Sequence, residues 1–355
     1  MTTPRGGPPS ADGPVDFRSD NVATAAPEIL AAIADANRGT ATAYGGDELS
    51  RRLDERFSEL FETPARVFPV ATGTAANALS LASITPPWGA VYCSEVAHVH
   101  TSEAGATEFF SGGAKLVPLP GDNFKVSASA LERAVADAGV GQTHRSQPAA
   151  VTFTQATEYG TLYDPDELSA LCAIARRRGV RIHIDGARFA NAVAALGTTP
   201  AAITWCLGAD VMSFGATKNG ALLCDAIVVF RPELAAELPF RLRRSGQVWS
   251  KMRFAAVQLL AYVEGGLWLR LAARANALAS RLGSGIRELP IARLVAPVEA
   301  NEVFVELPGV AIEALAAKGL LFHRRGSNVI RLVCRFDGTE QEIDRGLEMF
   351  RSTLR

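Results

Sequence analysis

Segments with the alternating apolar pattern of a strand and segments with the apolar spacing of a helix follow one another along most of the chain. Residues 66–84 predict a short strand, a Thr-Gly-Thr turn and an Ala- and Leu-rich helix. Residues 167–197 predict a helix that ends at Gly179, a strand over 180–185 and a second helix. Residues 209–230 predict two strands around a polar turn. This succession is typical of an α/β fold with a mainly parallel central sheet.

The pattern changes after about Arg231, where a basic stretch leads into a long helix that we predict from Phe254 to about Leu282. Two β-rich segments and a final amphipathic helix at 338–354 follow, which indicates a smaller α+β domain. No period of 20–50 residues recurs, so a repeat architecture is not expected.

The N-terminal segment has a composition of its own. Its first fourteen residues include four prolines and three glycines and lack an apolar core, which favours a disordered tail over a signal peptide. We therefore predict a disordered tail at 1–15, a large domain at 16–245 and a small C-terminal domain at 246–355.

Composition narrows the classes of function. Of the 355 residues, 48% are hydrophobic and 21% charged, which is ordinary for a soluble globular protein and excludes disorder of the whole chain. The formal net charge of −1 does not favour nucleic acid or an anionic membrane as a partner. No window reaches the roughly 18 uninterrupted apolar residues that a membrane-spanning helix needs. The five cysteines are widely spaced and form no C-x-x-C pair, so we expect reduced thiols and a cytoplasmic protein.

Polar residues that follow predicted strands are the first candidates for a site, because open α/β sheets bind ligands beyond the carboxyl ends of their strands. Gly73 and Thr74 open a helix, where backbone N–H groups and the helix dipole could bind a phosphate. An ordinary glycine turn with a threonine cap is the alternative. Asp185 ends a strand and could hold a proton on a heterocyclic nitrogen, with Arg188 one turn further on. An aspartate helix cap with a surface arginine is the alternative there.

Lysine is scarce, with five lysines among the 36 basic residues, and this makes Lys218 informative. A covalent imine needs a primary amine, which arginine cannot replace. Only Lys218 lies in a turn between two buried-looking strands, where partial desolvation can free the amine. A solvated turn residue is the alternative. His98 and His100 have no third ligand nearby, so we expect no metal site.

Taken together, these residues match the functional groups of pyridoxal 5′-phosphate (PLP), which offers a phosphate, a ring nitrogen and an aldehyde. Their order along the chain resembles that of the aspartate-aminotransferase-like PLP enzymes. The chain also resembles the low-specificity L-threonine aldolases of the β-eliminating lyase group, from Asp16 to the C-terminal helix. The matching stretches are FRSDN (17–21), AYGGDE (43–48), FPVATGTAAN (68–77), EVAHVHTSEAG (95–105), TFTQATEYGTLY (152–163), HIDGARFANA (183–192), SFGATKNG (213–220) and IRLVCRFD (330–337).

The resemblance implies a role for each cofactor-binding position. Lys218 would carry the amine that attaches the cofactor's aldehyde, and Asp185 would pair with its pyridine nitrogen. Gly73, Thr74 and Ala75 would hold its phosphate.

The resemblance also implies a substrate site. His98 would stack on the cofactor ring and is a candidate for handling the β-hydroxyl proton, and His144 would approach the β-hydroxyl side. Ser19, Arg188 and Arg331 would bind the substrate carboxylate, and we also count Arg188 among the cofactor-binding residues.

Enzymes of this kind usually share active sites between subunits, so the resemblance implies a homo-oligomer, a dimer or a tetramer. Tyr44, counted with the substrate-binding residues, and Arg253 would reach a neighbouring subunit's site.

The expected reaction is retro-aldol cleavage of β-hydroxy-α-amino acids, such as L-threonine, L-allo-threonine and phenylserine, to glycine and an aldehyde. A PLP-dependent β-eliminating lyase or a decarboxylase that acts on another amino acid is the nearest alternative, because the cofactor-holding residues are shared. A binding or regulatory protein on the same scaffold, without turnover, is an alternative from another class.

Overall fold

The computed structural model describes residues 13–354 and contains a large mixed sheet, a small antiparallel sheet and a two-stranded pair. The strands are β1 (Val15–Asp16), β2 (Arg66–Val70), β3 (Gly89–Ser94), β4 (Lys115–Leu119), β5 (Gln147–Thr154), β6 (Arg181–Gly186), β7 (Val211–Phe214), β8 (Asp225–Val229), β9 (Arg293–Leu294), β10 (Glu302–Glu306), β11 (Leu320–Leu321), β12 (His323–Arg325) and β13 (Val329–Val333). The helices are α1 (Pro27–Ala36), α2 (Glu48–Phe61), α3 (Gly73–Ile84), α4 (His98–Thr101), α5 (Ala106–Ser111), α6 (Ala128–Ala136), α7 (Pro165–Arg177), α8 (Phe189–Leu196), α9 (Leu238–Arg244), α10 (Arg253–Val263), α11 (Leu267–Arg287), α12 (Gly309–Ala317) and α13 (Glu340–Thr353).

The large sheet has the strand order β2-β8-β7-β6-β5-β3-β4. The pairs from β4 through β7 are parallel, and β8 runs antiparallel to both of its neighbours. The parallel strands β3, β6 and β7 are almost wholly buried, as is usual for a parallel sheet between layers of helices. The predicted fold class is therefore confirmed, and the carboxyl ends of β5, β6 and β7 meet at one edge.

One predicted helix is interrupted. The segment from Phe254 to Leu282 forms two helices, α10 and α11, which are separated by a turn at Glu264–Gly266. Gly265 and Gly266 both have positive φ angles, +54° and +71°, which side-chain-bearing residues rarely adopt. The apolar spacing continues through this turn, so the periodicity alone did not reveal the break.

The small sheet has the order β12-β13-β10-β9 and is antiparallel throughout. Helix α11 joins its core to that of the large sheet. Its first half, through Ala272, packs in the large core, and its second half, from Leu278, packs in the small one. This packing favours a domain boundary within α11, later than the predicted boundary after residue 245.

The N-terminal segment crosses to the small domain. β1 pairs in parallel with β11, and Val15 and Phe17 are buried in the small core. Residue 15, predicted as the end of a disordered tail, therefore belongs to the folded domain, because its side chain is buried in the small core and its N–H donates to Gly319. Residues 1–12 of the predicted tail lie outside the described residues. No helix within 13–354 is long and apolar enough to cross a membrane.

Candidate active site

Two adjoining cavities open at the carboxyl ends of the parallel strands. The inner cavity has a volume of about 320 Å³ and the outer cavity about 420 Å³. They share one wall, and the residues that line both are Asn21, His98, Glu158, Arg188 and Lys218. The fold thus brings the predicted lysine, arginine and His98 together.

One end of the inner cavity is the start of α3. Thr72 caps this helix, because its Oγ1 accepts the Ala75 N–H at 3.1 Å. The N–H groups of Gly73 and Thr74 find no acceptor within residues 13–354, and both residues line the cavity. Gly73 and Thr74 therefore offer free donors to an anion as predicted, whereas the Ala75 N–H is used by the cap.

The Asp185 carboxylate lies at the end of β6 and is 2% exposed. Its Oδ2 accepts from Asn77 Nδ2 at 2.8 Å and its Oδ1 from the Ala187 N–H at 3.1 Å. The N-cap position of α8 is Arg188, not Asp185, so the helix-cap alternative does not apply. These two donors fix the orientation of the Asp185 carboxylate at the wall of the inner cavity.

A chain of hydrogen bonds links Asp185 to His98. The Asn77 amide also donates to Glu103 Oε1 at 2.8 Å, and the same oxygen contacts His98 Nδ1 at 2.8 Å. Burial raises the pKa of Glu103, while its hydrogen bonds to His98 and Asn77 oppose that change. The contact at Nδ1 fixes the imidazole, and Nε2 has no hydrogen-bond partner within the described chain.

Lys218 lies in a short 3₁₀ turn that follows β7. The turn is closed by Asp225, whose Oδ1 accepts the N–H groups of Ala216 and Thr217 at 2.8 and 3.0 Å. Asn219 anchors its other side to the Tyr262 hydroxyl at 2.7 Å. The backbone at Lys218 is thereby fixed, and its half-buried side chain lines both cavities, which favours a site residue over a solvated turn residue.

The predicted carboxylate-binding arginines are themselves paired. Arg188 donates to Asp20 from Nε at 2.7 Å and from Nη2 at 3.2 Å, and its Nη1 lies 3.2 Å from Glu302. Arg331 lies 3.7 Å from Glu302 and donates to the backbone of residue 18. Burial would raise the pKa of Asp20, but the charges of Arg188 and Lys218 outweigh it and keep that pKa below its ordinary value.

Ser19, Arg188 and Arg331 all line the outer cavity. Because Arg188 already holds Asp20 with two donors, Arg331 is the arginine with more donors left for a ligand.

Two predicted site residues lie elsewhere. His144 is in the loop before β5, at the amino end of the parallel strands and beside Ala90, so the chain's topology places it at the opposite edge of the sheet from Lys218. The predicted approach of His144 to the β-hydroxyl is therefore wrong within one chain. Tyr44 is 56% exposed, and its ring lies under the Arg243 guanidinium at 4.9 Å, away from both cavities.

Sequence reasoning missed the acidic and amide residues that hold the predicted ones, namely Asp20, Asn77, Glu103, Glu158 and Glu302. One signal was available: Asn77 follows Gly73 by four residues in a helix and so lies on the same face. The others are brought in by tertiary contacts.

The comparisons with known proteins agree with this geometry. The model of the Beta-eliminating lyase family matches residues 16–308. A low specificity L-threonine aldolase of a Pseudomonas species is 44% identical over 92% of this chain and 94% of its own length. Its counterpart in Pseudomonas aeruginosa is 43% identical over 94% of this chain and 96% of its own length. A solved threonine aldolase structure from Leishmania major matches with a TM-score of 0.89 at 26% identity, covering 96% of this chain and all of that one.

The chain belongs to the beta-eliminating lyase family.

Beta-eliminating lyases and threonine aldolases of this kind depend on PLP, and the inner cavity fits that cofactor. The free N–H groups of Gly73 and Thr74 suit its phosphate, the buried Asp185 carboxylate suits its ring nitrogen and Lys218 supplies a primary amine. No group of three metal-binding side chains occurs within the described part of this lyase.

Proposed function

We propose that this chain is a PLP-dependent aldolase that cleaves β-hydroxy-α-amino acids to glycine and an aldehyde by breaking the Cα–Cβ bond. L-Threonine, L-allo-threonine and phenylserine are the expected substrates. The observation that carries the proposal is one continuous site in which Lys218 and Asp185 adjoin an arginine-lined cavity. The names of the Pseudomonas relatives support the same reaction.

The cofactor, when bound, supplies an electron sink for the pair left on Cα after bond cleavage. The residues of the inner cavity hold it in place. The amine of Lys218 would attach it, the N–H groups of Gly73 and Thr74 would bind its phosphate, and Asp185 would hold a proton on its ring nitrogen. Asn77 holds the Asp185 carboxylate in the orientation that this needs.

The outer cavity would bind the amino acid. Arg331 and the Ser19 hydroxyl would hold the substrate carboxylate, with Arg188 positioned behind them by Asp20. Holding this carboxylate decides which bond at Cα breaks, because it fixes the rotation of the substrate about the Cα–N bond.

The β-substituent of the substrate would face an aromatic wall. Tyr159 lines the outer cavity and is stacked between Phe124, at 3.5 Å between ring centroids, and Phe304, at 4.3 Å. This wall supports a substrate with an aryl β-substituent, such as phenylserine. His98, oriented by Glu103, would face the β-hydroxyl from the shared wall.

We also propose that the enzyme is a homo-oligomer in which Tyr44 and Arg253 reach a partner's site. Both lie outside the cavities of their own chain, and the exposed Tyr44 ring is fixed by Arg243. Sedimentation should give a dimer or tetramer, and a Tyr44→Phe variant should lose activity without a change in mass. An active monomer would contradict this proposal.

The deciding experiment incubates the purified protein with PLP and separate threonine isomers and measures acetaldehyde and glycine. Equal amounts of the two products support the aldolase. Ammonia with a keto acid, or carbon dioxide, would instead identify the alternative lyase or decarboxylase.

A Lys218→Ala variant should lose the visible absorbance of the holoenzyme, because no other amine lines the inner cavity within the described residues. Lys251→Ala, which changes an exposed lysine of the basic stretch, is the matched control and should keep it. An unchanged spectrum in Lys218→Ala would remove the lysine from its proposed role.

A further inference from the structure

Glu158 is a carboxylate in the shared wall of the two cavities, and the sequence analysis assigned it no role. It follows the end of β5 by four residues, in the loop that also carries Tyr159. The other acidic residues around the site, such as Asp185 and Glu103, have named partners among the side chains of the site. Asp185 has a donor on each oxygen, and Glu103, although its Oε2 is also buried without a partner in the described chain, lines neither cavity, whereas Glu158 lines both.

One oxygen of Glu158 is held and the other is free. Oε1 accepts the His98 N–H at 2.7 Å and the Thr154 hydroxyl at 2.9 Å. Oε2 is inaccessible to solvent and has no hydrogen-bond partner in the described chain. A buried carboxylate oxygen without a partner is unfavourable, and such atoms are rare in native proteins, where a catalytic role or a bound water or ion is among their explanations. Two donors on Oε1 also place any proton of this carboxyl on Oε2.

The electrostatic surroundings suit proton exchange near neutral pH. Burial, together with the nearby Asp185 charge, raises the pKa of Glu158 to about 7, although the hydrogen bonds that the carboxylate accepts partly oppose the change. A pKa near the working pH is what a general acid–base group needs. The charged and titratable groups that interact with Glu158 include Cys93, Tyr163, Asp185 and Arg188. Those that share the walls of the two cavities with it are His98, Tyr159, Asp185, Arg188, Lys218, Asp225, His323, Arg325 and Arg331.

We infer that Glu158 is a further catalytic residue, which takes the β-hydroxyl proton of the substrate through Oε2. This inference rests on the proposed aldolase reaction. The hydroxyl O–H bond breaks and its proton passes to Oε2, the carbonyl bond of the aldehyde forms, and the Cα–Cβ electron pair remains on Cα. Glu158 then releases this proton to solvent, and Cα takes up one proton from solvent to give glycine, so that substrate and products balance without an oxidant. His98 is left to orient the hydroxyl.

The test separates cleavage from the chemistry at Cα alone. Holoenzyme of the wild type and of Glu158→Gln is assayed for acetaldehyde release from threonine and, in D₂O, for exchange of the α-proton of glycine, which has no β-hydroxyl. We expect Glu158→Gln to lower kcat/KM for threonine by about 10² or more, the usual contribution of a general base, with a much smaller effect on glycine exchange. The wild-type cleavage rate should rise through pH 7, and the residual rate of the variant should lack that rise.

Glu299→Gln is the matched control, because Glu299 accepts the Leu162 N–H and so supports the same loop from outside both cavities. It should cleave threonine like the wild type. The visible spectrum and its pH dependence, read without turnover, should be the same in all three proteins.

Three results would overturn the inference. The first is an equal loss of threonine cleavage and glycine exchange in Glu158→Gln. The second is a shift of the variant's visible absorbance band, which would place Glu158 against the cofactor. The third is a cleavage rate of the variant that still rises through pH 7. A wild type that exchanges glycine but cleaves no β-hydroxy amino acid would instead refute the proposed function.

Discussion

The amide of Asn77 lies between two buried carboxylates, and replacing it with a carboxylate is the sharpest test of how this site is held. Asn77 Nδ2 donates to Asp185 Oδ2 and to Glu103 Oε1, both at 2.8 Å. Asn77→Asp keeps the shape of the side chain but turns this double donor into an acceptor. Three carboxyl groups would then meet with no donor between them.

The free energy lost in Asn77→Asp can be estimated from the two hydrogen bonds that the amide donates. A hydrogen bond to a charged group contributes about 1.5–3 kcal/mol, so losing both would cost about 3–6 kcal/mol. Taking up one proton restores one donor at most, which leaves a loss of about 1.5–3 kcal/mol or more. If that loss falls on the Asp185 contact with the cofactor, PLP binding weakens by about tenfold to a hundredfold. Any part of this free energy that destabilises the folded apoprotein lowers its melting temperature.

Two measurements test this estimate. A titration of the apoprotein with PLP, monitored by visible absorbance, gives the affinity for the cofactor, and thermal unfolding of apoprotein and holoprotein gives the change in stability. Adding Glu103→Gln to Asn77→Asp places an amide donor beside the new carboxylate, and part of the lost affinity should return. Ser80→Ala is the control, because this buried serine lies on the same helix and its hydroxyl has no partner within 13–354. If Asn77→Asp binds PLP and unfolds like the wild type, the amide does not hold Asp185 in the way described.

Three further predictions concern Asp185, His183 and Arg331. Asp185→Ala should lower turnover far more than His183→Ala, because the His183 ring is fixed within the sheet by Thr152 at 2.8 Å and Ser213 at 3.1 Å; similar kcat values would contradict the ring-nitrogen role. Burial lowers the pKa of His183 to about 4 from 6.5, so this residue's contribution to stability is complete above pH 6.5 and falls by about 3 kcal/mol as the pH drops toward 4. Urea unfolding of the wild type should show this loss and His183→Gln should lack it; parallel curves would refute the assignment. Arg331→Leu should raise KM for threonine while PLP stays bound, as glycine and PLP titrations would show, and a variant that releases PLP but keeps its substrate affinity would refute the clamp.

The large domain was predictable because its strands and helices carry strong local signals. The strand, turn and helix at 66–84 and the strand that ends in Asp185 form as expected, since apolar runs bounded by glycine turns leave few other structures. The interruption after Val263 was missed because the prediction followed the apolar spacing, which continues past the break, although the Gly265-Gly266 pair is itself a turn signal.

The site was predictable where a residue directly follows a strand and hidden where it depends on distant segments. Asp185 and Lys218 stand at strand ends, whereas Glu302 lies in the small domain and reaches Arg188 only through the fold. His144, in contrast, was predicted to lie at the site and does not. Its assignment rested on the resemblance alone, and the direction of the strand after it places it at the wrong edge of the sheet.

The N-terminal segment connects the two domains to the substrate site over very few residues. Val15 is hydrogen-bonded to the small domain, and five residues later Asp20 binds Arg188 of the large domain. A protein immobilised on a surface through this end would transmit mechanical load from the support directly to the arginine behind the substrate carboxylate. Biocatalyst designs that attach or tether the enzyme should therefore include a slack linker before Val15.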